Sequence, residues 1–158
     1  MGVVGQISKE SLSIDGSWKV AIIQALFNQN ITQKLTDSAQ EKLIALGLPK
    51  KNIKIFHVPG ALEIPLAIQL AFDSGYDAAI ATGAVIRGET THYEYVCNGI
   101  ERGCTHIQLQ TKKPIAQAVL TTENLAQALD RCGGNHGDKG QEAAEVVISM
   151  LNLKKSIN

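Results

Sequence analysis

The densest group of reactive side chains lies at positions 87–92, where Arg87, Glu89, Thr90, Thr91 and His92 follow one another around Gly88. They belong to the stretch GAVIRGETTHYEYVCNG, residues 83–99, which follows the apolar run Asp77-Ala78-Ala79-Ile80-Ala81-Thr82. This pattern predicts the carboxyl end of a buried strand, a tight glycine-bearing turn and a helix start. The first N–H groups of a helix have no intrahelical acceptor and carry the positive end of its dipole, so such a junction favours an anion. His92 falls within a turn of that point. A histidine there can take and give a proton near neutral pH, while backbone donors hold a phosphate or a developing oxyanion. A polar loop whose histidine only caps a helix is the plain alternative.

Three further candidates follow apolar runs in the same manner. Phe27 ends the run over residues 18–25 and serves either as a core aromatic or as a stacking surface for a planar ligand. Glu63 lies in the turn Pro59-Gly60-Ala61-Leu62-Glu63, where it either caps the next helix or accepts hydrogen bonds from a polyhydroxylated ligand. Thr121 and Thr122 end the run over residues 115–120, and one or the other is expected to cap the helix after it. Arg131 and Lys139 bracket the glycine-punctuated segment Cys132-Gly133-Gly134-Asn135-His136-Gly137-Asp138, expected to be mobile. A planar fork and a flexible point charge suit a phosphate, or else both are solvated helix-end cations. Cys97 reads as a packing residue more readily than as a nucleophile.

The elements that must position these groups alternate. Strands are expected at residues 18–25, 52–58, 76–82 and 115–120. Helices are expected from Ile31 to a stop at Gly47, from Glu63 or Pro65 to Ser74-Gly75, from His92 to about Gln108, over Leu125, Ala128 and Leu129, and over residues 141–151. Gly99 and Gly103 mark close packing or a weakened helix interior. The strands are near-continuously apolar, as central parallel strands covered on both faces are. The fold class is therefore α/β, a three-layer α/β/α sandwich with a four-stranded, mainly parallel sheet of flavodoxin-like type. Phe27, Glu63, the 83–92 stretch and Thr121-Thr122 then gather at one sheet edge, where open α/β sheets bind ligands. Arg131 and Lys139 lie beyond a helix and point to a neighbouring subunit's site.

Composition narrows the function classes. Lysine plus arginine and aspartate plus glutamate number 15 each among 158 residues, leaving no basic field for nucleic acid or an acidic membrane. Three cysteines without CxxC spacing argue against a disulfide framework or structural zinc. His57, His92, His106 and His136 lack metal-ligand spacing. No basic start followed by an apolar run and no bilayer-length segment occur, so a cytoplasmic protein is expected. Residues 1–17, with the apolar patch Val3-Val4-Gly5-Gln6-Ile7, are expected to form an arm or edge strand, and residues 18–158 a single domain.

The segments VPGALEIP (residues 58–65), GAVIRGETTHYEYVCNG (83–99), VLTTEN (119–124) and Lys139-Gly140 resemble those of the 6,7-dimethyl-8-ribityllumazine synthases of riboflavin biosynthesis, over about residues 19–151. The resemblance implies a cofactor-independent transferase that condenses 5-amino-6-(D-ribitylamino)uracil with 3,4-dihydroxy-2-butanone 4-phosphate. It implies His92 as proton-transfer residue, and Arg131, Glu89 and Thr90 as the phosphate site with Lys139 close by. Phe27 would stack on the pyrimidine, with Ala61, Leu62, Glu63, Ala84, Val85, Ile86 and Gln117 around the ring and ribityl chain. Leu26 stands where the family usually has an arginine, and Leu62 and Gln117 stand where it commonly has aromatics. The resemblance further implies a homopentamer with sites between subunits, association with riboflavin synthase, and a 60-subunit icosahedral capsid as an allowed assembly. A weak or silent homologue acting as a shell or scaffold is the alternative from another class.

Overall fold

Residue parity along the strands sets the layers. In the computed structural model, which describes residues 5–158, Val20 and Ile22 of β1 (Val20–Ala25) point to one side of the sheet and Ala21 and Ile23 to the other, all fully buried. Successive strand side chains face opposite ways, so an unbroken apolar run requires a cover on each face. Val20 and Ile22 join Ala78, Ile80, Ala116 and Ala118 in a core under α1 (Gln29–Ala45) and α5 (Lys139–Ile157). Ala21 and Ile23 join Ala79, Ala81 and Ile115 under α2 (Ile64–Asp73) and α3 (His92–Thr111).

The sheet consists of β1, β2 (Ile53–Val58), β3 (Ala78–Ile86) and β4 (Ile115–Thr122) in the order β2-β1-β3-β4, every pair parallel. The three-layer, flavodoxin-like architecture is as expected. Because β1 lies between β2 and β3, the chain reverses its direction of winding there and opens a crevice at the carboxyl ends of β1 and β3.

Several boundaries differ from expectation. β3 continues past Gly83 to Ile86, and β4 past Leu120 to Thr122, through the pairs Val85↔Thr121 and Ile86↔Thr122. Gly83 is a point of close approach in the sheet: a Cβ there would stand 3.3 Å from Val119 Cγ1 and 3.5 Å from Ile64 Cδ1. The cap of α4 (Leu125–Asp130) is therefore neither Thr121 nor Thr122 but Asn124, whose Oδ1 accepts the Gln127 N–H at 2.9 Å. The last helix starts at Lys139, because Asp138 Oδ1 accepts the N–H groups of Gly140 and Gln141 at 3.0 and 3.2 Å. α3 runs on to Thr111.

The segment expected to be mobile forms an antiparallel hairpin of β5 (Cys132–Gly134) and β6 (Gly137–Asp138). Its base closes where the Lys139 N–H donates to Arg131 O at 2.9 Å, and the His136 N–H donates to Asp130 O at 2.8 Å. Gly99 and Gly103 do mark close packing, since Cβ atoms on them would stand 2.7 Å from Leu62 and from Pro65. At the amino terminus, Val3 and Val4 lie outside the described residues. Leu12 and Ile14 pack on the α1/α5 core, and Asn152 Nδ2 donates to the carbonyls of Ser11 and Ser13.

Candidate functional site

The crevice at the strand ends is a cavity of about 560 Å³. Three of the four strand-end candidates converge on it: Phe27 after β1, Ala61, Leu62 and Glu63 after β2, and Ala84, Val85, Ile86, Thr90 and His92 from β3 and beyond. Pro59, Gly60, Gly88, Tyr93 and Val96 complete most of the wall.

Local hydrogen bonds fix each strand end. The N–H groups of Leu26 and Phe27 donate to the carbonyls of Val58 and Pro59 at 2.9 and 3.1 Å, tying β1 to the turn after β2. Phe27 is 72% exposed, which excludes the core-aromatic reading and leaves its ring free at the mouth of the cavity. Asn28 follows in the left-handed region, φ 58°, which asparagine tolerates better than most residues. Its Nδ2 donates to Ala84 O at 2.9 Å, holding β1 to β3 beside the cavity. Glu63 Oε2 accepts the Gly60 N–H at 2.9 Å, so the same side chain that fixes the turn also lines the cavity.

On the opposite wall the His92 N–H donates to Thr90 Oγ1 at 3.3 Å, and the His92 ring stacks near Tyr95, centroids 6.1 Å apart at 18°. Both residues are exposed, at the start of α3 where helix N–H groups point outward. Cys97 is half-buried, and burial is the main influence raising its thiol above the ordinary range; burial pushes Cys104 up to about 12. Neither environment favours a thiolate nucleophile.

Four expected site residues lie elsewhere. Glu89 is exposed and off the cavity wall. Gln117 is exposed in the middle of β4, an edge strand. Arg131 donates from Nη1 to Gln127 O at 2.9 Å, and Lys139 pairs with Glu142 at 2.7 Å. Closure of the hairpin sets Arg131 and Lys139 side by side, away from their own chain's cavity. No lysine or arginine stands among the described residues that line it. Thr121 and Thr122 extend β4 beside it without lining it.

The family model for 6,7-dimethyl-8-ribityllumazine synthase matches residues 17–155, the whole α/β body. The chain belongs to that family. It is 49% identical over 144 residues to a 6,7-dimethyl-8-ribityllumazine synthase of Bdellovibrio bacteriovorus, covering 90% of this chain and 78% of that one. A protein of the same name from Paracidovorax citrulli is 49% identical over 140 residues, 88% of each chain.

Within this lumazine synthase family member, Leu62 is both cavity wall and packing partner, lying against the gap left by Gly99. Leu26 is 40% exposed and off the cavity wall. Asn28 and Tyr93 are wall or buttress residues that pattern reasoning missed. Asn28 carried a usable signal, an asparagine between a strand and a helix. Tyr93 carried only its place beside His92.

Proposed function

We propose that this chain condenses 5-amino-6-(D-ribitylamino)uracil with 3,4-dihydroxy-2-butanone 4-phosphate to give 6,7-dimethyl-8-ribityllumazine, phosphate and water. The observation that carries this is family membership across the whole body that builds the cavity. The substrate amine is the nucleophile. It attacks the ketone to form a carbinolamine, loss of water gives an imine, elimination releases phosphate, and the ribitylamino nitrogen closes the ring on the remaining carbonyl with loss of a second water. These steps require proton transfers and no protein nucleophile, so the reading is cofactor-independent.

The groups on the cavity wall suit those steps. Phe27 presents a ring face for the pyrimidine, with Ala84, Val85 and Ile86 as the apolar wall and Glu63 as acceptor for ribityl hydroxyls. His92 shuttles protons as water and then phosphate depart. The α3 amides, the main chain at Glu89 and Thr90, and the Thr90 hydroxyl receive the phosphate. A dianion needs cations as well, and the cavity's described lining offers none.

Arg131 and Lys139 therefore belong to the site of an adjacent subunit, in a ring of five. Exposed Phe27, Leu62, Leu66, Leu70 and Tyr95 supply apolar surface for such a neighbour to cover. The compact hairpin leaves assembly into a 60-subunit shell open, with riboflavin synthase as partner and the cytoplasm as location. Residues 5–17 supply an arm. Incubating purified protein with both substrates, while following lumazine absorbance and phosphate release, tests the activity. No product above the uncatalysed background would leave a scaffold.

A further inference from the structure

Arg87 is the only member of the 87–92 cluster whose side chain ties three elements together. It is the first residue beyond β3, and its N–H donates to Thr122 O at 2.9 Å, prolonging the β3–β4 pairing by one bond. Its Nε donates to Glu123 Oε2 at 2.8 Å, just beyond β4. Its Nη1 donates to Glu94 Oε1 in the first turn of α3. The guanidinium also lies over the Tyr93 ring, 4.2 Å from its centroid. A planar fork can satisfy two carboxylates and an aromatic face at once, whereas an ammonium lacks both the fork and the flat surface.

Arg87 does not line the cavity, but Ile86, Gly88, Thr90, His92 and Tyr93 around it all do. The turn carrying the phosphate-side amides is thus spanned by one side chain fastened at both ends. The exposed loop has little burial of its own: residues 87–92 are all exposed. Holding reactive groups in place requires such support, because small misplacements are costly in rate.

Resting on the proposed condensation, we infer that Arg87 is a positioning residue that holds the β3–α3 turn, and with it Thr90 and His92, in register with the phosphate of the substrate. Glu94 and Glu123 act by holding Arg87. Arg87 also offsets one of the two negative charges that Glu94 and Glu123 bring to the turn.

The test compares wild type, R87Q, R87K and the E94Q/E123Q double variant as assembled oligomers. In all three variants the KM for the phosphorylated substrate should rise about fivefold or more, while that for the ribitylaminouracil stays within about twofold. Hydrogen exchange of the amides at residues 88–95 should quicken in each variant, a readout that needs no turnover. Full activity in R87K would overturn the proposal, since charge alone would then suffice. A lower KM in E94Q/E123Q would also overturn it, because a released Arg87 would be gripping phosphate itself. Unchanged exchange in R87Q, or loss of kcat and both KM values in step with melting temperature, would reduce Arg87 to a structural or neutral residue. Wild type that makes no lumazine defeats the condensation reading alone, and the exchange data still decide whether Arg87 holds the turn.

Discussion

His92 stands exposed at the first position of α3, so replacing it removes a proton-transfer group without opening the core. His92→Ala should slow turnover about 10-fold or more with the melting temperature little changed; unaltered kcat in a lumazine absorbance assay would end the proton-transfer role. Arg131 is proposed to act on the phosphate alone, and a hydrogen bond to a charged group contributes ~1.5–3 kcal/mol, so Arg131→Ala should raise the KM for the phosphorylated substrate about 10-fold or more. An equal rise in the KM for ribitylaminouracil would contradict that division of labour. His92 and Glu63 were legible because turn chemistry and helix starts leave local marks. Phe27 was legible only as an alternative: an aromatic after a buried strand fits core and mouth equally, and exposure is a tertiary property. Arg131 and Lys139 read as a bracketing pair, but their closeness depends on a hairpin that a run of glycines does not announce.

Strand interiors were readable at the level of elements because burial on both faces demands continuous apolar sequence, whereas strand ends were not. β3 passes through Gly83 because that residue pairs with Val119 of β4, a reason lying 36 residues away in sequence. Once β4 reaches Thr122, capping passes to Asn124; Asn124→Ala should destabilise by about 1 kcal/mol in chemical denaturation, and no change would mean that α4 is held by packing alone. Gly140 is a point of close approach between α5 and α1, where a Cβ would stand 2.3 Å from Leu35 O. Backbone atoms cannot step aside as a side-chain tip can, so Gly140→Ala should cost about 1–3 kcal/mol, read as a lower denaturation midpoint. The amino-terminal segment is held differently. The Ser17 hydroxyl first, then the Ser17 N–H, then Lys155 lower Asp15 from 3.8 to about 2. A carboxylate depressed on folding stabilises above its unfolded pKa and loses that contribution as pH falls through the folded one. Asp15→Asn should therefore lower the melting temperature at neutral pH, with the gap to wild type closing between pH 3.8 and about 2; a gap independent of pH would show that charge plays no part.

At the scale of the whole molecule, the decisive feature is a cavity with an imidazole, a carboxylate and helix amides but no cation on its described lining, beside a chain that carries its paired cations elsewhere. Either the phosphate is held by amides alone or the cations come from another copy. A head-to-tail ring answers this, since each subunit meets a different neighbour on each side and lends residues in one direction. The two answers separate in mixed assemblies. His92→Ala and Arg131→Ala chains are each defective, but where an Arg131→Ala chain supplies the His92 side and its His92→Ala neighbour supplies Arg131, the shared site is intact. Random co-assembly in equal amounts should restore wild-type behaviour to about a quarter of the sites in a closed ring. If each chain completed its own site, every site would carry one defect and no mixture would exceed its parents. Co-refolding the two variants and measuring lumazine formation at low phosphorylated substrate, where both parents are slow, distinguishes these outcomes. The same sample sized by light scattering tests the proposed ring of five, and the shell built from such rings, against any other size. A lone chain that regains activity on mixing without changing size would contradict the shared site.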